Sequence, residues 1–158
     1  MRIVALDPGE TCGFALFDYD HKAEPVVLTL DQRKFGSDPG KITPYIYGRW
    51  LAWTERESAV LVFENYRVYK SKALIHVGSQ LYTSELIGAI LGAAQLYIPP
   101  VQTARIEAST KGRWPDKRVE RFMPGLIHAT IGREHARDAA LIGLCYIEKE
   151  LGWTPIQY

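Results

Sequence analysis

Apolar positions along the chain fall into short continuous runs near the start and longer helical spacings further on. Residues 2–7 (R-I-V-A-L-D) are a β-branched and aliphatic run stopped by Pro8-Gly9, the pattern of a buried strand. Residues 13–18 (G-F-A-L-F-D) alternate well enough for a second strand, antiparallel to the first, and 25–30 (P-V-V-L-T-L) for a third. A polar turn around Asp20-His21-Lys22 joins these last two, which suggests a meander. Ile42, Ile46, Trp50 and Trp53 then recur at helical spacing, predicting a helix over about 42–57 that carries Arg49, Glu55 and Arg56 outward.

Ala59 to Phe63 is another buried run, and it ends on Glu64. Residues 65–75 are polar, basic and aromatic, and read as a loop. From about His76 to Tyr97 the spacing of Leu81, Leu86, Ile87, Ile90, Leu91 and Ala94 predicts a long helix. Gly78, Gly88 and Gly92 in it are expected to permit close packing, at some cost in helix propensity. A strand is expected over 98–102, at an edge because of Pro99-Pro100. A basic irregular stretch (104–116), a short helix (116–123) and a final helix (133–151) complete the chain. The order β-β-β-α-β-α-β-α-α describes one mixed α/β domain over residues 1–158.

Composition narrows the class without deciding it. With 158 residues, 47% hydrophobic and 23% charged, the chain can bury a core. A net charge of +1 argues neither for nor against nucleic acid. Cys12 and Cys145 lie far apart in apolar surroundings without metal-ligand spacing, and are expected to be reduced and buried, which fits a cytoplasmic protein. No apolar stretch is long enough for a membrane span.

The chemistry lies in acids at the ends of buried elements. Asp7 closes an apolar strand, where an ionised carboxylate is costly unless a cation or hydrogen bonds compensate it. Gly9 lets the chain turn beside it. A cap on the turn before Pro8 is the plain alternative. Glu64 repeats the theme after V-L-V-F, and two central strands ending in acids could share divalent cations through oxygen ligands. In H-A-R-D-A-A at 135–140, His135 and Asp138 stand on one helix face, with Ala136, Ala139 and Ala140 keeping the helix slim. A surface hydrogen-bonded pair is the plain reading there, but the helix continues as apolar L-I-G-L-C-Y-I, so it is a packed one.

Taken together, D-P-G-E-T-x-G-F-A at 7–15, E-N-Y at 64–66 and H-x-x-D-A at 135–139 resemble the RuvC family of Holliday junction resolvases. Q-L-Y-T-S-E-L-I-G-A-I at 80–90 resembles that family's long central helix, and the compactness resembles its phage-like branch. The resemblance implies a ribonuclease H-like fold, with a mixed five-stranded sheet flanked by helices. It also implies a site for two Mg²⁺ (or Mn²⁺) and a homodimer that cuts two strands of a branched DNA. Asp7, Glu64 and Asp138 match the family's acids. His135 matches a position held by an acid in some members and histidine in others, so its role is open between metal ligand and proton-transfer partner.

The physical logic agrees with that reading. Phosphodiester hydrolysis must activate a water, neutralise charge on the phosphate and stabilise the departing 3′ oxygen, and two cations about 3.5–4 Å apart serve all three needs.

Two stretches are candidates for DNA. Arg67, Lys70 and Lys72 follow Glu64 and could neutralise phosphates, with Tyr66 and Tyr69 as stacking faces. In 105–121, Arg105, Lys111, Arg113, Lys117, Arg118 and Arg121 stand against Glu107, Asp116 and Glu120, six positives less three negatives, or +3. Lys111, Arg113, Lys117 and Arg118 are its expected phosphate contacts, with Trp114 packed beneath. Solvated loops are the plain alternative for both. D-P-G-x-T-x-G also resembles the first phosphate loop of actin-like kinases and ATPases, which usually need two such domains. A silent DNA-binding module, or a nuclease for flaps, forks or RNA–DNA hybrids, completes the set of alternatives.

Overall fold

The first three strands stand where the apolar runs place them. In the computed structural model, which describes residues 1–36, 38–54, 59–65, 82–96, 100–107 and 112–154, β1 is Arg2–Asp7, β2 Thr11–Asp18 and β3 Val26–Lys34. Then come α1 (Pro39–Thr54), β4 (Ala59–Asn65), α2 (Tyr82–Leu96), β5 (Gln102–Glu107), α3 (Asp116–Phe122), α4 (Leu126–Ala129) and α5 (Glu134–Lys149). The sheet order is β3-β2-β1-β4-β5, with β1–β2 and β2–β3 antiparallel and β1–β4 and β4–β5 parallel.

Central position explains the sequence of β1. Ile3 to Leu6 are all buried, because helices cover both faces of the sheet. Ile3 and Ala5 face one core with Val60, Val62 and the apolar side of α5. Val4 and Leu6 face the other, with Ile42, Ile46 and Trp50 of α1 and Leu86, Ile87, Ile90 and Ala94 of α2. The Tyr47 hydroxyl donates to the Ile90 carbonyl at 2.7 Å, tying α1 to α2, and burial raises its pKa to about 12. On the α5 side, Trp114 stacks on Trp153 at 6.0 Å, and Phe122 meets both rings edge-on.

Three expectations need correction. β3 runs to Lys34 rather than ending at residue 30, because an edge strand keeps its ladder after its apolar alternation has given way to D-Q-R-K. The last strand is 102–107, not 98–102. Its pairing starts at Gln102 beside Val60, beyond two prolines that have no N–H to donate, and only Ile106 is deeply buried in this second edge strand. Finally, a Cβ at Gly88 or Gly92 of α2 would meet nothing within 4 Å among the described residues, so neither is a close-packing site against them. Gly78 lies outside the described residues.

The close approaches occur elsewhere. A Cβ on Gly143 of α5 would stand 2.2 Å from Cε2 of Phe17, and Ala136, Ala139 and Ala140 are fully buried beneath the same helix. Cys12 and Cys145 are buried thiols, and burial, reinforced by the Asp7 charge, pushes the Cys12 thiol well above its ordinary value. Among the described residues no helix is long and apolar enough to cross a membrane.

Gly143→Ala is expected to destabilise the fold by about 1–3 kcal/mol through overpacking against Phe17. Urea unfolding measures this, and an unchanged midpoint would show that the ring can yield.

Candidate active site at the carboxyl end of the sheet

One row of residues across the sheet builds the site. Asp7 pairs with Gly13, and Gly13 with Gln32. On the other side Leu6 pairs with Phe63, so Asp7 and Glu64, each one residue on, lie side by side on adjoining parallel strands. Strand alternation turns both acids to the face of Ile3, Ala5, Val60 and Val62, which is the face that α5 covers. Strand spacing sets their backbones about 4.8 Å apart.

Helix α5 brings the remaining groups. His135 Nδ1 is 2.7 Å from Asp7 Oδ2, across 128 positions of sequence. The Asp7 side chain is 17% exposed, so this partner offsets much of the desolvation of its carboxylate. An ionised carboxylate only accepts, so Nδ1 carries the proton in this pair and a neutral ring keeps Nε2 as an acceptor. Asp138 stands one helical turn further on the same side, half-buried.

Three residues seat that helix. A Cβ on Gly13 would stand 1.8 Å from the His135 carbonyl oxygen, so only a residue without a side chain lets the first turn of α5 rest there. Gln32 Oε1 accepts from the Ala136 N–H at 3.4 Å, capping a turn whose own N-cap, Arg133, makes no side-chain cap. The Arg133 guanidinium donates instead to the Leu30 carbonyl. Sequence reasoning missed Gln32 and Arg133, whose contacts span about a hundred positions and leave no local signal. It assigned the steric role to Gly9, where a Cβ would meet Thr11 O at 3.3 Å, whereas the tighter constraint falls on Gly13.

The donors match a hard divalent cation in kind: carboxylates at the ends of adjoining strands, with an imidazole on one of them. Among the described residues, however, no three His, Cys, Asp or Glu side chains are gathered into a group ready to hold one ion. The structure thus brings Asp7 to Glu64 in the sheet and His135 to Asp7 by contact, and sets Asp138 one turn along α5.

The expected DNA contacts fare differently. Tyr66, Arg67, Tyr69, Lys70, Lys72 and Lys111 lie outside the described residues. Arg118 pairs with Glu148 at 2.9 Å and lies 4.1 Å over the Trp114 ring, while Arg113 reaches the same carboxylate at 3.4 Å. The Trp114 indole donates to Glu148 as well. Glu148 is ten residues beyond Asp138 on α5, or about 15 Å along the helix. These arginines therefore bind a carboxylate of their own chain, away from the acidic row, and Lys117 beside them is exposed.

No family model matches the sequence, and no curated protein matches it. Solved structures do. The chain is similar to RuvC of Thermus thermophilus, with a TM-score of 0.63 at 17% identity over 96% of this chain and 97% of that one. T. thermophilus RuvC in complex with Holliday junction substrate gives 0.61 at 16%, covering 96% and 97%. The Fowlpox virus resolvase, in complex with substrate Holliday junction DNA, gives 0.59 at 13%, covering 96% and 99%. The chain has the ribonuclease H-like fold of RuvC. At these identities the likeness establishes the architecture, and with it the expected five-stranded mixed sheet.

Gly13→Ala is expected to lift the first turn of α5 off the sheet, break the His135–Asp7 contact and cost at least about 1–3 kcal/mol. Gln32→Leu should cost only about 1 kcal/mol, the worth of one neutral hydrogen bond. Urea unfolding with ¹⁵N NMR of the His135 ring reads both effects. A wild-type ring signal in Gly13→Ala would mean that the contact does not depend on the glycine.

Proposed function

We propose that this chain is a divalent-metal-dependent endonuclease that cuts branched DNA, four-way junctions foremost, in recombination or repair. The observation that carries the reading is the side-by-side placement of Asp7 and Glu64 beneath the helix bearing His135 and Asp138. In this reading Asp7, Glu64 and Asp138 hold Mg²⁺ (or Mn²⁺), with two ions serving one phosphate. When bound, such ions polarise the phosphate, lower the pKa of water and stabilise the departing oxygen.

The chain's own groups do the rest. The His135 ring holds the Asp7 carboxylate in one orientation through Nδ1, which leaves Nε2 to take the proton of the attacking water. The bond formed is water oxygen to phosphorus, and the bond broken is phosphorus to the 3′ oxygen. Attack in line with the leaving oxygen requires a held phosphate, and Tyr66, Arg67, Tyr69, Lys70 and Lys72, directly after β4, are the proposed grip. Lys111, Arg113, Lys117 and Arg118 are proposed contacts for more distant phosphates, with Glu148 limiting the charge that the two arginines offer. The similarity to proteins solved with Holliday junction DNA favours a four-way substrate and a homodimer making paired cuts.

Synthetic four-way, flap, RNA–DNA hybrid and linear duplex substrates, each with Mg²⁺, Mn²⁺ or EDTA, test this reading. The four-way junction should be cut in either metal and left intact in EDTA. Asp7→Asn should lose cutting to background while still binding the junction, and light scattering should return twice the chain mass. Cutting by Asp7→Asn, or cutting in EDTA, refutes the assigned site.

A further inference from the structure

The carboxyl end of β3 carries cations that the charge pattern of the sequence did not single out. Because β2 is antiparallel to both neighbours, β3 runs in the direction of β1 and ends at the same edge of the sheet as Asp7 and Glu64. Lys34 pairs with Thr11, two residues beyond Gln32 of the acidic row, and by strand alternation shares the face of Gln32 and Asp7. Arg33 lies on the opposite face, its guanidinium 4.8 Å from the Tyr45 ring centroid and 5.6 Å from that of Phe35.

Both side chains are exposed, and among the described residues neither is paired with a carboxylate. The nearby acids are largely committed elsewhere. Asp31 takes the Arg49 guanidinium at 3.5 Å and the Tyr45 hydroxyl at 3.0 Å, and Asp38 takes Lys41 at 3.8 Å. Glu10, on the turn whose carbonyl receives the Phe35 N–H, and Glu134, at the start of α5, are also exposed acids here. Arg113 and Arg118 differ in kind, since both are paired with one carboxylate, that of Glu148.

We propose that Arg33 and Lys34 form a phosphate clamp for the DNA strand that enters the acidic row. This rests on the nuclease reading above and adds to it where the substrate backbone runs. Two strand spacings across the sheet and two residues along β3 set the Lys34 backbone about 12 Å from that of Asp7. That spans roughly three base steps, so the clamp holds phosphates about three nucleotides from the cut. The two rings hold the Arg33 guanidinium in place before binding, and its planar fork suits a phosphate. A strand crossing the sheet edge meets Lys34 on one face of β3 and Arg33 on the other.

The test is junction binding by the full chain in the Asp7→Asn background, titrated with KCl. Replacing both cations by glutamine should reduce the log–log salt slope by about 1.8, at about 0.9 for each phosphate no longer neutralised. Arg33→Lys with Lys34 intact should keep the slope. Neutral methylphosphonates placed two to four nucleotides from the cut should weaken binding by the Asp7→Asn chain, yet weaken the Arg33→Gln/Lys34→Gln derivative no further. An unchanged slope in a chain that binds junctions overturns the clamp alone, as do additive losses with methylphosphonate. Absence of any junction binding by the wild-type chain overturns the nuclease reading, and the clamp with it.

Discussion

Helix α5 can lie on the sheet only because neither partner offers a side chain where they touch. At Gly13 the strand yields space to the His135 backbone, and at Gly143 the helix yields it to the Phe17 ring. Between these points fully buried alanines complete the slim face. That closeness lets a side chain of normal reach span from the first turn of α5 to Asp7. Had β2 carried any Cβ at position 13, the imidazole would stand off from the carboxylate, and Asp7 would lose that compensation for its burial. Packing and electrostatics are therefore one constraint here. The glycine makes the contact possible, and the contact makes a mostly buried acid tolerable.

The row Gln32–Gly13–Asp7–Glu64 gives that constraint its breadth. Side chains at matching register on adjoining strands share a face, so a single line across the sheet sets the helix cap, the helix seat and both acids. A slip of one residue in any of these strands would turn its member to the opposite core. Register is held by the packing of β1, β2 and β4, whose successive residues fill two separate cores in turn. The site is thus fixed by residues that take no part in it.

Elements whose apolar pattern reflects burial on two sides were legible in the sequence: β1, β2, β4, α1 and the packed α5. The positions of Asp7 and Glu64 at strand ends were legible as well, because each closes a buried run where a charge is out of place. Edge strands were legible only in part, β3 being cut short at residue 30 and β5 set too early, since each has a neighbour on one side only and carries polar residues through most of its length. Side-by-side placement of Asp7 and Glu64 could not be read either, because strand order leaves no trace in local spacing. The basic count over 105–121 is incomplete for a related reason. Glu148, thirty residues past Arg118, returns on α5 to pair with it and with Arg113, a partner that no local tally can see.

With no divalent ion bound, a sheet end that gathers acids repels the polyanion proposed as its substrate, and a chain of net charge +1 has no general field with which to overcome this. Attraction must then come from cations that are close, exposed and not already answered by carboxylates. Proximity alone does not meet that requirement, as Arg113 and Arg118 illustrate: they are basic and partly exposed, yet each is paired with Glu148. Arg33 meets it by a different route, because aromatic faces hold a guanidinium while leaving its net charge intact, whereas a carboxylate holds it by cancelling that charge. The aromatic support at Tyr45 and Phe35 is in turn anchored to the α1 side of the sheet by the Tyr45–Asp31 hydrogen bond and the edge contact with Phe14. The geometry that fixes α5 over the acids on one face is therefore matched on the other by packing that keeps a cation available at the sheet's end.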